Sequence, residues 1–332
     1  MASSEPNHIQ AVQIGLLTWF AENGRDLPWR HTRDPYRILV SEVMLQQTQV
    51  DRVIPYYGAF LDRFPTVVEL ATAPTAEVIK AWAGLGYNRR AVNLQRTAQA
   101  VVRDLGGLFP GQPEALQALP GIGPYTAGAV ACFAFERDVP FLDTNMRRVI
   151  HRLFVGPEVP VLLAKERELV ALAAAAIPAG RGWEWNQSLI EFGALQCTAR
   201  RPACVVCPLQ RSCQAYPAIQ SQIAMLPRGA RTAKEGPFQE SNRYFRGRVV
   251  AVLRELPTDQ DEIGVDLRSL GPLVRDGFGE GDLPWLADLV DGLTRDGLAM
   301  VAEERPTYDA GRSEASEAEL IGDTGDVRIR LP

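Results

Sequence analysis

From residue 9 onwards the chain repeats apolar positions every three or four residues. Val12, Leu16, Leu17 and Phe20 fall on one face, which predicts a helix over Ile9–Asn23. The same period predicts helices over Pro35–Gln49, Asp51–Arg63, Thr75–Ala83 and Ala91–Leu105, punctuated by Pro65, Pro74 and the Gly84/Gly86 pair. Further helices fit Pro124–Phe135, Thr144–Phe154, Leu163–Ile177 and Asn186–Leu195. No run of alternating β-branched residues interrupts them, so the first 213 residues read as all-α.

Residues 214–242 read as a linker, with Pro217, Pro227, Gly229, Gly236 and Pro237 and little apolar period. After it the texture changes. Arg243–Leu256, Val265–Val274 and Pro284–Thr294 are helical in pattern, and Leu298–Glu303 and Val327–Leu331 read as strands joined by a long Gly/Ser/Glu-rich tip. Three helices and then a hairpin is the order of a small α/β winged-helix-like domain. Its third helix carries Asp288 and Asp291 and no basic residue before Arg295, a poor surface for the major groove.

The 46% hydrophobic and 23% charged content of the 332 residues is that of an ordinary globular protein. Val161–Ala179 comes nearest to a membrane span but holds Lys165, Glu166, Arg167 and Glu168, and Met1–Gln10 lacks the basic start and apolar run of a signal peptide. The expectation is a cytoplasmic protein without membrane contact. A net charge of −5 argues against a nucleic-acid partner until it is divided. Residues 257–332 hold 18 acidic and 7 basic side chains, and the other 256 residues hold 22 acidic and 28 basic. The body is mildly basic and the appendage acidic, which leaves DNA binding open to the body.

Four of the five cysteines, Cys197, Cys204, Cys207 and Cys213, lie within 17 residues. Disulfides fit poorly, because the 196 residues before the run hold one cysteine. Zinc sites usually use two close C-x2-4-C pairs, and only Cys204/Cys207 have that spacing, so the loop favours an iron–sulfur cluster while zinc stays open. Cys132, in the apolar segment Ala127–Phe135, reads as a buried small hydrophobe.

Leu119-Pro-Gly-Ile-Gly-Pro-Tyr-Thr-Ala-Gly-Ala129 places Gly121 and Gly123 around an aliphatic anchor, with Pro124 at the first position of the next helix. Such a turn points its amides outwards with a helix N-terminus, the form of a helix-hairpin-helix clamp on a DNA backbone. Glu42 lies in Ser41–Val50 among apolar Ile38, Val43 and Leu45; a solvated face residue is the plain alternative. Asp143, opening Thr144–Phe154, is by default an N-cap.

Taken in order, Leu-Pro-Trp-Arg30, SEVMLQQTQV (41–50), GLGY (84–87), LPGIGPYTAGA (119–129), LDTN (142–145), NQSLIEFGALQC (186–197) and the cysteine loop resemble the iron–sulfur DNA glycosylases of the helix-hairpin-helix superfamily. Within these the chain is most similar to the MutY-type adenine DNA glycosylases, over roughly residues 10–213. The resemblance implies a mainly α fold of two lobes. One is a cluster lobe from 1–30 and 136–213; the other is a six-helix barrel lobe over 31–135 with the hairpin. A linker at 214–242 and the winged-helix-like domain at 243–332 follow. It also implies a [4Fe-4S] cluster on Cys197, Cys204, Cys207 and Cys213, and double-stranded DNA with a mispaired base as partner of a nucleoid-associated monomer.

Family roles carry over residue by residue. Glu42 would protonate adenine N7, Asp143 would stabilise the sugar cation or bond to it transiently, and Tyr125 and Asn145 would orient Asp143 or the sugar. Bifunctional relatives have a Lys nucleophile where Tyr125 stands, so the enzyme is expected to be monofunctional. Gln47 and Tyr87 match residues that wedge into the base stack, with Gln46 and Thr48 beside Gln47 in the substrate site. Arg25, Leu27, Trp29, Arg30 and Leu45 match the adenine pocket, although core packing accounts equally for Leu27, Trp29 and Leu45. Arg200, Arg201 and Arg211 in the cysteine loop read as phosphate contacts.

Two departures stand out. Asn88 replaces the second Tyr usual after GLGY, and the last 90 residues do not resemble the larger Nudix-like domain with which MutY-type enzymes recognise 8-oxoguanine. Two alternatives follow: a mismatch thymine or uracil glycosylase on the same scaffold, or a non-catalytic iron–sulfur protein that binds DNA or senses redox state. Retention of both Glu42 and Asp143 argues against the second.

Overall fold

The computed structural model describes residues 6–226, 238–256, 263–302 and 327–332. They form two compact units, one of residues 1–46 with 108–230 and one of 47–107 with 231–332, so the four segments read from the sequence are grouped differently.

In the first unit, α1 (Pro6–Asn23) lies against α11 (Gly182–Leu195), and α11 against α9 (Thr144–Phe154). Helix α2 (Pro35–Leu45) packs on α8 (Pro124–Phe135), which follows the short α7 (Pro113–Gln117); α10 (Glu166–Ala176) packs on α9. Two of these starts have a clear local cause. Asp34 accepts the Tyr36 amide at 2.9 Å with Pro35 at the first helical position, and Asp143 accepts the Met146 amide at 2.6 Å. The core holds Leu16, Trp185, Leu189, Phe192, Ile150 and Phe154, all 2% exposed or less. Helix α2 ends at Leu45 rather than Gln49, because Gln46 leaves helical geometry (ψ 110°) and Gln47 then adopts a left-handed backbone (φ 57°). Helix α12 (Ala218–Met225) lies in the segment read as linker and buries Ile219, whereas 227–237 fall outside the described residues.

The second unit joins α3 (Val50–Arg63), α4 (Val67–Thr72), α5 (Thr75–Ala81) and α6 (Arg89–Leu105) to the C-terminal segment. Thr66 and Glu69 form a reciprocal capping box on α4, and Gly106 (φ 62°) closes α6 in the left-handed region. After α13 (Asn242–Arg254) comes β1 (Val265–Asp266), then α14 (Leu267–Val274), α15 (Leu283–Arg295), β2 (Met300–Val301) and β3 (Arg328–Arg330). The strands form an antiparallel sheet in the order β1-β3-β2, pairing Val265 with Ile329 and Met300 with Arg330. This is the winged-helix order, with a first strand that helical periodicity had absorbed into Val265–Val274. Asp266 ends that strand by capping α14 through the Ser269 amide at 2.8 Å. The expected tip between the last strands, and Glu303 with it, lies outside the described residues.

One core runs through this unit. Ile79 of α5 and Val92 of α6 are buried together with Val249, Val250, Leu253, Leu270, Leu286, Leu293 and Ile329. The Ala76 amide donates to the Pro332 carbonyl at 2.7 Å, and Arg254 donates to the Ile79 carbonyl at 3.1 Å and to Asn88 Oδ1 at 2.9 Å. Asn88, the departure noted above, is therefore the acceptor that ties α13 to the GLGY turn. Because Leu286 is fully buried in this core, Leu286→Ala is expected to lower the unfolding free energy by about 3 kcal/mol, measured by urea denaturation.

Candidate active site

Glu42 sits near the end of α2 with 6% of its surface exposed. Burial pushes its carboxyl up to about 7; a Tyr125 hydroxyl that donates to it and the Arg30 charge only partly oppose this, while the Asp143 charge adds to it. Tyr125 is itself held well above its usual range by burial and by the two carboxylates, so it remains a neutral donor. Its ring meets Phe141 edge-on at 5.5 Å. Gly128 makes this approach possible, since a Cβ there would lie 2.6 Å from Phe141 Cβ.

Phe141 leads directly into half-buried Asp143. Besides the Met146 amide, Asp143 accepts from Asn145 Nδ2 at 3.2 Å. Asn145 Oδ1 in turn accepts from Arg148 at 2.9 Å, and Arg148 also donates to the Gly193 carbonyl at 2.6 Å and the Cys197 carbonyl at 2.8 Å. A hydrogen-bonded path thus links the start of the cysteine loop to the Asp143 carboxylate. As the N-cap of α9, Asp143 faces the positive end of that helix.

Arg25 and Arg30 converge on Glu191, a fully buried carboxylate of α11. Arg25 binds it through the side chain at 2.7 Å and the backbone amide at 3.2 Å; Arg30 binds it at 2.9 Å and reaches Gln187 Oε1 at 2.8 Å. Burial alone would raise Glu191, but hydrogen bonds from Arg25 and the charges of Arg30 and Arg25 outweigh it and hold the carboxyl below its ordinary value. Sequence reasoning missed Glu191 and Gln187. The one available signal was a Glu inside an otherwise apolar helical stretch, and its partners lie 166 and 161 positions away.

Leu27 and Trp29 are buried, Leu45 is half-buried, and Gln46 and Gln47 are exposed. Thr48 Oγ1 accepts from Arg90 at 3.2 Å. Tyr87, 42% exposed, follows Gly84 (φ 91°) and Gly86 (φ 72°) and itself takes φ 47°. A non-glycine residue held in that region at a turn tip is a strained, displayed side chain. In the hairpin, Leu119 and Ile122 are buried as anchors, Gly121 (φ 78°) makes the turn, and Gly123 at the N-terminus of α8 faces open space. Arg200, Arg201 and Arg211 are exposed.

The four loop cysteines are half-buried free thiols. Among the described residues, no three His, Cys, Asp or Glu side chains are drawn together tightly enough to hold a metal ion. The loop nevertheless gathers four sulfur donors with hydrogen-bond donors around them, a set that fits a thiolate-held cluster. Burial pushes the metal-free thiols of Cys204, Cys207 (to about 11) and Cys213 up, backbone amides around Leu209, Ala215 and Tyr216 that donate to Cys207 and Cys213 partly oppose this, and Arg152 donates to Cys197 Sγ at 3.4 Å. Arg152, 1% exposed, also grips Glu158 and the Thr198 and Ala199 carbonyls. Cys132 is fully buried, accepts from Asn186 at 3.3 Å, and is pushed up to about 12 by burial.

Known proteins resemble this chain in sequence and fold. Residues 40–171 match the family described as HhH-GPD superfamily base excision DNA repair protein. The adenine DNA glycosylase of Mycolicibacterium smegmatis is 37% identical over 310 residues, which cover 89% of this chain and 97% of that protein. The adenine DNA glycosylase of Mus musculus is 40% identical over 243 residues, or 68% of this chain and 47% of the mouse protein. Among solved structures, a thermostable thymine-DNA glycosylase is 34% identical with a TM-score of 0.59 over 63% of this chain and 97% of its own. A trapped endonuclease III–DNA intermediate shares the fold at 23% identity and a TM-score of 0.55, over 64% of this chain and 97% of its own. Glu191→Ala would strand the buried Arg30 charge; a loss of about 3 kcal/mol in unfolding free energy is expected by urea titration.

Proposed function

We propose a division of labour between two carboxylates in a chain that belongs to the HhH-GPD superfamily of base excision DNA repair proteins and, within it, to the adenine DNA glycosylases. The chain is a DNA N-glycosylase that hydrolyses the bond between base and deoxyribose. Its substrate is adenine mispaired with guanine or 8-oxoguanine, turned out of the duplex before reaction. The observation that carries this reading is the pairing of a buried carboxyl pushed up to about 7, Glu42, with a helix-capping carboxylate, Asp143.

Adenine is a poor leaving group until N7 is protonated. Glu42 holds that proton near neutral pH and gives it up as the base departs. Asp143 faces the oxocarbenium-like sugar and stabilises its positive charge, while Asn145 and the Arg148 path fix the carboxylate's orientation. Tyr125, a phenol with no amine to form a Schiff base, leaves the enzyme monofunctional. Gln46, Gln47, Thr48 and Tyr87 hold the opened duplex, and Arg25, Leu27, Trp29, Arg30 and Leu45 frame the adenine. Gly121, Gly123, Arg200, Arg201 and Arg211 carry backbone phosphates, and the protein acts as a monomer at the nucleoid. Cys197, Cys204, Cys207 and Cys213 would hold a [4Fe-4S] cluster. When bound, the cluster supplies a rigid pin for the Arg200–Arg211 loop and no chemistry at the sugar.

Incubation with duplexes containing A:8-oxoG, A:G, T:G and U:G, followed by alkali, tests the reading. Strand scission at adenine is expected in the first two; scission at T or U alone would favour a thymine or uracil glycosylase instead. Glu42→Gln is expected to lower the excision rate by about 100-fold or more, and unchanged activity would remove Glu42 as donor. Since Glu42 works protonated, the wild-type rate should fall as pH rises through about 7. Purified protein should carry iron and sulfide with visible absorption, and colourless protein with stoichiometric zinc would contradict the cluster.

A further inference from the structure

Within the second unit, a groove of about 770 Å³ runs between the GLGY turn and α13. Its lining includes Arg89, Arg90, Arg243, Arg246 and Arg248, and one carboxylate, Asp296. That carboxylate is already engaged, by Arg89 at 3.4 Å and Arg246 at 2.5 Å. Aromatic surface lies among the charges. Arg243 stacks on the Tyr87 ring at 4.2 Å, and Phe238, 58% exposed, lies edge-on to Tyr244 at 5.7 Å. Arg243 is exposed and carries no ion pair among the described residues.

The charge of α13 is unusual for its surroundings. Asn242–Arg254 contains four arginines and no acidic residue, although the chain from 257 onwards is strongly acidic. These arginines do not serve the fold alike. Arg254 is spent on Asn88 and Ile79, whereas Arg243 and Arg248 are exposed and line the groove, Arg248 donating to the Leu273 carbonyl at 2.6 Å. Guanidinium groups interleaved with aromatic rings in an open groove match a polynucleotide strand, whose phosphates take the charge and whose exposed bases stack.

We propose that this groove is a DNA-strand site: α13, not the acidic α15, is the DNA-contacting helix of the C-terminal domain, and Arg243 and Arg248 bind phosphates of the strand that passes Tyr87. The proposal rests on the DNA glycosylase reading above and extends it to a domain that the catalytic residues do not require. The core shared by Ile79, Val92 and α13 fixes the groove's two walls to one another.

The test compares the full-length protein with Arg243→Ala/Arg248→Ala on an A:8-oxoG duplex, measuring Kd between about 50 and about 200 mM salt and the single-turnover excision rate at saturating enzyme. Loss of two phosphate contacts should weaken binding at low salt. It should also make the fall in affinity across that salt range about tenfold smaller than in the wild type, with about threefold for Arg243→Ala alone. The saturating excision rate and the thermal midpoint should stay at wild-type values. A salt dependence identical to the wild type would overturn the groove as a strand site, and so would an unchanged Kd. Wild-type protein that binds through these arginines but excises no adenine would instead count against the catalytic reading and leave the groove standing.

Discussion

A carboxyl group removed from water must be paired with a cation, be hydrogen-bonded as an anion, or keep its proton. Among the described residues the first unit contains two such groups, and it treats them oppositely. Glu191 lies between Arg25 and Arg30 and is held ionised. Glu42 receives one phenolic hydrogen bond, a partial benefit from Arg30, and the repulsion of Asp143, so it retains its proton to about pH 7. The difference between these environments is what turns a helix face residue into an acid. The rest of the site is arranged to preserve it: Tyr125 stays neutral, and Gly128 admits Phe141 so that Asp143 comes near without touching a cation of its own.

Asp143 shows how the scaffold reaches the chemistry. Its position is set first by a helix cap and then by Asn145, whose carbonyl oxygen is fixed by Arg148. Arg148 is anchored on carbonyls at the end of α11, where the cysteine loop begins, so the order of that loop and the orientation of Asp143 are physically connected. Arg152, one helical turn further along α9, binds the same loop from its buried side.

Much of this could be seen in the sequence where it depends on neighbours along the chain. Pro124–Phe135 and Thr144–Phe154 coincide with their helices because Pro at the first position and Asp as N-cap are local signals. Short elements were not visible: α4 and α7 span only one or two turns, too few for a period to declare itself. The two-residue strand Val265–Asp266 is defined by Ile329 and Arg328, more than 60 residues away, and so read as the first turn of a helix. Glu42, Asp143 and the cysteines were legible through an ordered set of motifs. Glu191 was not, because its meaning comes from arginines far away in sequence. Asn88 appeared as a mere departure until Arg254 of α13 gave it a partner.

The C-terminal segment is thus part of the second unit's core and carries its own basic helix, while Glu42 and Asp143, the two carboxyls proposed for catalysis, belong to the first unit. The proposed chemistry depends most on the proton held by Glu42. Carbon-13 labelling of glutamate side chains, with the Glu42 resonance assigned by its loss in Glu42→Gln, reports that proton directly. A carboxyl titrating with a midpoint near 7 is predicted. A midpoint near the ordinary glutamate value of about 4.3 would contradict the account, because Glu42 would then be an anion at neutral pH and could not protonate a leaving base.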